Sequence, residues 1–130
     1  MKLLFPILLI NFLACNRMPE IQPCPTDIAC TEEFRTIGVT ITQDNQPLNL
    51  DRYTVTTEGE ALELDNNLGM GSGWHTLFTD AFQKTYQNRE ITLSLKGYLG
   101  TEMVVNQDYV VGADCCHIYL VSGPEEISLP

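Results

Sequence analysis

The feature that most restricts this chain is a two-residue rhythm that returns along its length with almost no helical competitor. It is clearest at Glu90 to Lys96, where Ile91, Leu93 and Leu95 alternate with Thr92, Ser94 and Lys96. Successive side chains of a strand point to opposite faces, so such a run buries one face and wets the other. Phe34 to Thr42 repeats the pattern, with Ile37, Val39 and Ile41 against Thr36, Gly38, Thr40 and Thr42. Gln43-Asp44-Asn45-Gln46-Pro47 then reads as a turn. Tyr53 to Thr57 predicts a second strand and Ala61 to Leu64 a short third one, joined by Glu58-Gly59. Trp74 to Asp80 predicts a further strand after a loop rich in Asn and Gly, and Ala81 to Asn88 a short helical turn. Glu102 to Val105 and Tyr109 to Val111 read as short strands around an Asn106-Gln107-Asp108 break. Asp114 to Ser122 reads as a late strand with Cys115 and Cys116 at its entrance, and Glu126 to Leu129 closes the chain. Seven to nine short strands at this spacing leave no room for crossover helices and predict an antiparallel β-sandwich.

Composition agrees with a packed domain of this kind. Of 130 residues, 44% are apolar and 18% charged, a balance that supports a core and is too weakly charged for a disordered chain. The formal charge of −10 argues against nucleic acid as a partner and against electrostatic docking on anionic lipid.

The N-terminus is read apart from the fold. Lys2 precedes an apolar run, Leu3 to Leu13, too short to cross a bilayer as a helix, and the run ends at Phe12-Leu13-Ala14-Cys15. This resembles a bacterial lipoprotein signal, which implies cleavage after Ala14 and lipid on Cys15. Residues 1–14 are then a signal peptide, 15–32 a spacer containing Pro19, Pro23 and Pro25, and 33–130 the sandwich domain. With Cys15 carrying lipid, Cys24, Cys30, Cys115 and Cys116 remain, an even number in an exported chain, which predicts two disulfides. A bond between the vicinal Cys115 and Cys116 needs unusual backbone geometry. Both other pairings join Cys24 and Cys30 to Cys115 and Cys116.

Two longer stretches carry a family resemblance. The first strand runs into Gln46-Pro47-Leu48, and Ile91-Thr92-Leu93-Ser94-Leu95-Lys96 is followed by Gly97-Tyr98. This is similar to the prealbumin-like sandwich of carboxypeptidase regulatory-like domains. Cys30-Thr31-Glu32-Glu33-Phe34-Arg35 together with Asp114-Cys115-Cys116-His117 also resembles small uncharacterised lipoproteins of Bacteroidota. The resemblance implies a fold and an envelope location, with the outer membrane as the expected anchor site. It implies no reaction.

The motifs that could carry chemistry fail on spacing. Cys24, Cys30, Cys115, Cys116, His75 and His117 supply metal-ligand types, but none has the paired spacing of a zinc ribbon, so no metal and no cofactor is expected. Cys116-His117 cannot form a thiol–imidazole dyad if both lie on one strand, because neighbours face opposite ways. Gly69-Met70-Gly71-Ser72-Gly73-Trp74-His75 matches neither a nucleophile elbow nor a dinucleotide fingerprint. Ser72, His75 and Asp80 include the three residue types of a hydrolytic triad, which only geometry can make meaningful. Asp44, Asp65, Asp80, Asp108 and Asp114 are expected at strand ends as turn formers. The reading is therefore a non-catalytic binding or structural module, held at a membrane by its lipid, with an envelope protein or glycan as partner and a ligand rim at Ser72, Trp74 and His75. The alternative is an envelope hydrolase built on the Ser72–His75 loop.

Overall fold

The computed structural model describes residues 20–65 and 70–130, so the expected signal segment and Cys15 lie outside the described residues. The chain folds as an all-β sandwich of two sheets. The first holds β1 (Thr36–Gln43), β2 (Gln46–Pro47), β5 (Trp74–Thr79) and β9 (Glu126–Leu129). The second runs in the order β4 (Glu60–Ala61), β3 (Arg52–Thr57), β6 (Arg89–Leu99), β7 (Glu102–Ala113), β8 (Ile118–Ser122).

Alternation places the core where the sequence puts it. Val39, Ile41, Val55, Leu77, Leu93, Leu95 and Val111 are almost wholly buried between the sheets. Their outward neighbours Thr92, Lys96, Asn106 and Asp108 are exposed. The β1–β2 connection is a two-residue hairpin in which Asp44 and Asn45 both adopt positive φ, the conformation that matches the strand twist. Among the named strands of the described residues all pairings are antiparallel except that of β1 with β9. No crossover helix is needed there, because β9 reaches β1 from β8 in the opposite sheet.

Several expectations are corrected. Asn106-Gln107-Asp108 is no break: β7 is one strand of twelve residues, with Lys96, Leu95 and Ser94 of β6 paired to these three. Asn106 and Asp108 belong to its solvent face, and Gln107 takes the inward place between Val105 and Tyr109. A polar run on a half-wet strand looks like a turn in one dimension. Asp108 is accordingly mid-strand. The late strand starts at Ile118, and Cys115 and Cys116 occupy a bend before it. The third strand keeps only Glu60–Ala61, after which Leu62 N–H still donates to Val55 O and the chain turns away. Asp80 opens a one-turn 3-10 helix, Asp80–Phe82, instead of ending β5.

The strand directions define two ends. At the base lie Thr36 beside Thr79 and Arg89 beside Ala113, with the entrance of β8. At the far end lie Gln43, Trp74, Arg52 and the β6–β7 turn. The N-terminal segment from Glu20 has no regular structure and enters at the base, where Cys24–Cys115 and Cys30–Cys116 hold it. Both bonds belong to the expected set, and Cys30 takes the second of the vicinal pair.

Candidate functional site

The far end carries the cleft. Its origin is the link from β2 to β3, which must cross from one sheet to the other. Leu50 plugs this crossing against Gly97, where a Cβ would run into the leucine side chain. Asp51 fixes the exit: its N–H donates to Tyr98 O at 3.0 Å, and its carboxylate accepts the Gly100 N–H at 2.6 Å. The link thus stands as one wall, with Asn49, Asp51 and Arg52 exposed. The facing wall is the start of β5. Between them lies an open cleft of about 530 Å³ lined by Asn49, Asp51, Arg52, Tyr53, Trp74 and Thr76, among others. That volume lies inside the usual span for small-ligand sites, about 300–1,000 Å³.

His75 stitches the two walls together. Its Nδ1–H donates to Gly73 O at 2.9 Å, and its Nε2 accepts the Leu50 N–H at 3.1 Å. A backbone N–H can only donate and a carbonyl can only accept, so this pair of partners selects the neutral tautomer. Burial pushes the imidazole pKa down, and the Gly73 hydrogen bond offsets only part of that. Gly73 N–H donates to Asn49 Oδ1 at 2.7 Å, closing the same stitch from the loop side. The Tyr53 ring meets His75 edge-on at 5.2 Å. Burial raises the Tyr53 phenol pKa, against a hydrogen bond with the Thr76 backbone that lowers it. Trp74 lies over Gly38 on the outer face of the first sheet, a place only glycine leaves open. The Arg52 guanidinium sits 4.0 Å from the centroid of the Tyr98 ring.

Of the expected rim, Trp74 and His75 reach the cleft, while Ser72 stays exposed on the loop and does not line it. With both ring nitrogens engaged by backbone groups, His75 has no free position to take a proton from Ser72. Asp80 is not with them either. It lies at the other end of β5, five residues and roughly 16 Å from His75. Asn49, Arg52 and Tyr53 were missed as cleft residues. The only local hint was the polar and aromatic run Asp51-Arg52-Tyr53 at the start of a strand.

At the base, Asp80 meets His117 instead. His117 Nδ1–H donates to Asp80 Oδ2 at 2.8 Å, and the Thr31 hydroxyl bonds His117 Nε2 at 2.8 Å. Asp80 also accepts the N–H groups of Arg35 at 2.8 Å and Ile118 at 2.9 Å. Burial raises its pKa, but these bonds together outweigh burial and hold the carboxyl below its ordinary value. Asp114 accepts the N–H groups of Cys116 and His117 at 2.7 and 2.8 Å, which hold its carboxyl low as well. This is the turn-forming role expected of Asp114.

Because His117 precedes the strand, its side chain turns inward and escapes the alternation expected of it. The order hydroxyl, imidazole, carboxylate is that of a triad, yet Thr31 does not line the far-end cleft. The amides beside His117 are already bound by Asp114. What the arrangement does is tie the N-terminal segment, the 3-10 turn and the β8 entrance into one knot beside the disulfides. Among the described residues no cluster of His, Cys, Asp and Glu is placed to hold a metal ion. The four cysteines seen here are all in disulfides.

Comparison with family models, with curated proteins and with solved structures finds no match to this chain. Fold and site define a class only: a two-sheet, all-β protein stapled at one end by two disulfides and open at the other in a small polar cleft.

Proposed function

We propose that this chain is an exported, lipid-anchored lipoprotein whose β-sandwich acts as a non-catalytic binding module in the cell envelope. The observation that carries this reading is the opposition of the two ends. The segment leading to the expected anchor at Cys15 is pinned at the base, and the cleft opens at the far end. An anchored receptor needs that order: attachment behind, recognition in front. Two disulfides support an oxidising compartment, since thiols in the cytosol are kept reduced. Nothing in the geometry favours the hydrolase alternative, because His75 is held by Gly73 and Leu50.

Two measurements test the reading. Cys15→Ser should move the protein from the membrane to the soluble fraction, because lipid is its proposed attachment. Retention of the variant on membranes overturns the anchor. A photo-crosslinking side chain at Asn49, in the cleft, should capture an envelope protein or glycan that the same side chain at Thr92, on the solvent face, does not. Equal capture from both positions, or none from either, overturns the cleft as the binding site.

A further inference from the structure

We infer that the far-end cleft takes a carboxylate-bearing saccharide, with Arg52 receiving the carboxylate; this rests on the binding-module reading and narrows it to a ligand class. The charge comes first. Among the described arginines, Arg35 pairs with Glu33 at 3.3 Å and Arg89 with Glu58 at 2.9 Å. Arg52 alone has no carboxylate partner among the described residues, in a chain with 17 acids and 7 bases. Its nearest carboxylate by sequence, Asp51, is occupied by the Gly100 N–H. The Tyr98 ring beneath the guanidinium holds it in place without neutralising it. An exposed, pre-positioned fork beside a cleft suits a planar carboxylate, which it can grip with two parallel hydrogen bonds. The chain's net charge of −10 disfavours a multiply charged ligand, so one carboxylate on a neutral frame fits best.

The rest of the lining selects the frame. Asn49 and Asp51 bring polar side chains to the lining, and Tyr53 brings an aromatic one. A sugar ring presents the same mixture, hydroxyls at its rim and C–H bonds on its faces. A peptide anchor would need a deep apolar hole, whereas the apolar lining here is limited to Leu50 and the aromatic rings.

Trp74 is the chain's single tryptophan and borders this cleft, so its emission serves as the readout of occupancy. The lipid-free, disulfide-intact protein is titrated with a galactose trisaccharide ending in a single galacturonate, with the neutral trisaccharide of galactose, and with a short peptide ending in a free carboxylate. The singly acidic trisaccharide should shift the emission saturably and bind at least about tenfold tighter than the neutral sugar, the size expected for one charge-assisted contact. Arg52→Gln should abolish that preference while leaving the circular dichroism spectrum unchanged. Tyr98→Leu, which removes the support under Arg52, should weaken it part of the way. Equal affinity for acidic and neutral sugars, or a preference that survives Arg52→Gln, overturns the carboxylate and leaves the binding module standing. Response to the peptide alone overturns the saccharide. No response to any of the three overturns the ligand class, and the Asn49 crosslink then decides separately whether the module reading falls with it.

Discussion

Asp80 has one carboxylate and three donors: Arg35 N–H, His117 Nδ1–H and Ile118 N–H. Its side chain is 8% exposed. Asp80→Asn keeps the shape but turns one acceptor into a donor facing donors. It should cost about 2–3 kcal/mol, read as a lower midpoint in urea with disulfides intact. The pH dependence follows from the same group and from His75. His75 has a lowered pKa in the fold, so the unfolded chain binds its proton more readily. Stability contributed by neutral His75 is present above about pH 6.5 and falls as pH drops below it. The Asp80 and Asp114 carboxyls are lowered too, so their contribution is present above about pH 4 and is lost as pH falls through their folded values. Acid unfolding should therefore show a shallow loss below neutrality and a steeper one below about pH 4. Asp114→Asn should flatten only the second, and a single loss near pH 6.5 would contradict the assignment. Tyr109 gives a change of opposite sign. Its hydroxyl is buried with no partner among the described residues, and burial alone pushes its pKa up to about 12. Tyr109→Phe removes the desolvated group and keeps the ring, so stability should rise by about 1 kcal/mol in the same urea assay.

At the scale of elements, the sheets depend on two glycines that admit a ring across the pleat. Gly38 of β1 lies under Trp74 and beside His75 O; Gly112 of β7 lies under Tyr119. A methyl group at Gly38 would stand 2.7 Å from that backbone oxygen, and β5 cannot move without breaking its pairing with β1. At Gly112 the three nearest obstructing atoms all belong to the Tyr119 side chain, and Tyr119 is 39% exposed and can swing into solvent. Gly38→Ala should thus cost about 2–3 kcal/mol and Gly112→Ala clearly less, a ranking that paired urea melts would read. If both cost the same, the backbone at Gly38 yields more than its pairing allows.

For the whole molecule, two disulfides spanning sequence separations of 91 and 86 residues fasten the N-terminal segment to the base. A loop of that length is worth roughly 4–5 kcal/mol for the first bond on the chain-entropy view, and less for the second, which closes within an already restricted chain. Peptide mapping without reduction should find Cys24 joined to Cys115 and Cys30 to Cys116. Replacing Cys30 and Cys116 together by Ser should lower stability by about 2–4 kcal/mol while sparing the cleft, whose Trp74 emission should not shift. A changed emission would mean that the base and the far end are coupled through the core. The same opposition of ends underlies the proposed anchored receptor.

Sequence by itself determined the class of fold and the sets from which the disulfides are drawn. Period-two alternation is a local property: Ile91, Leu93 and Leu95 need no knowledge of their partners to demand one buried face. The vicinal pair Cys115-Cys116 likewise excludes its own bond by local geometry, leaving Cys24 and Cys30 as partners. What lies between distant segments was decided only by tertiary structure. Two pairings were equally consistent with the sequence until the base brought Cys30 beside Cys116. Asp80 at the end of a strand pattern is indistinguishable from a turn former until His117, 37 residues later, arrives beside it. The cleft shows the same limit. Trp74 and His75 stood out because glycines flank them, whereas Asn49 and Arg52 acquire their place only when the link crosses between sheets and faces β5. Alternation states which side chains are hidden; it carries no distance between strands, and a site is made of those distances.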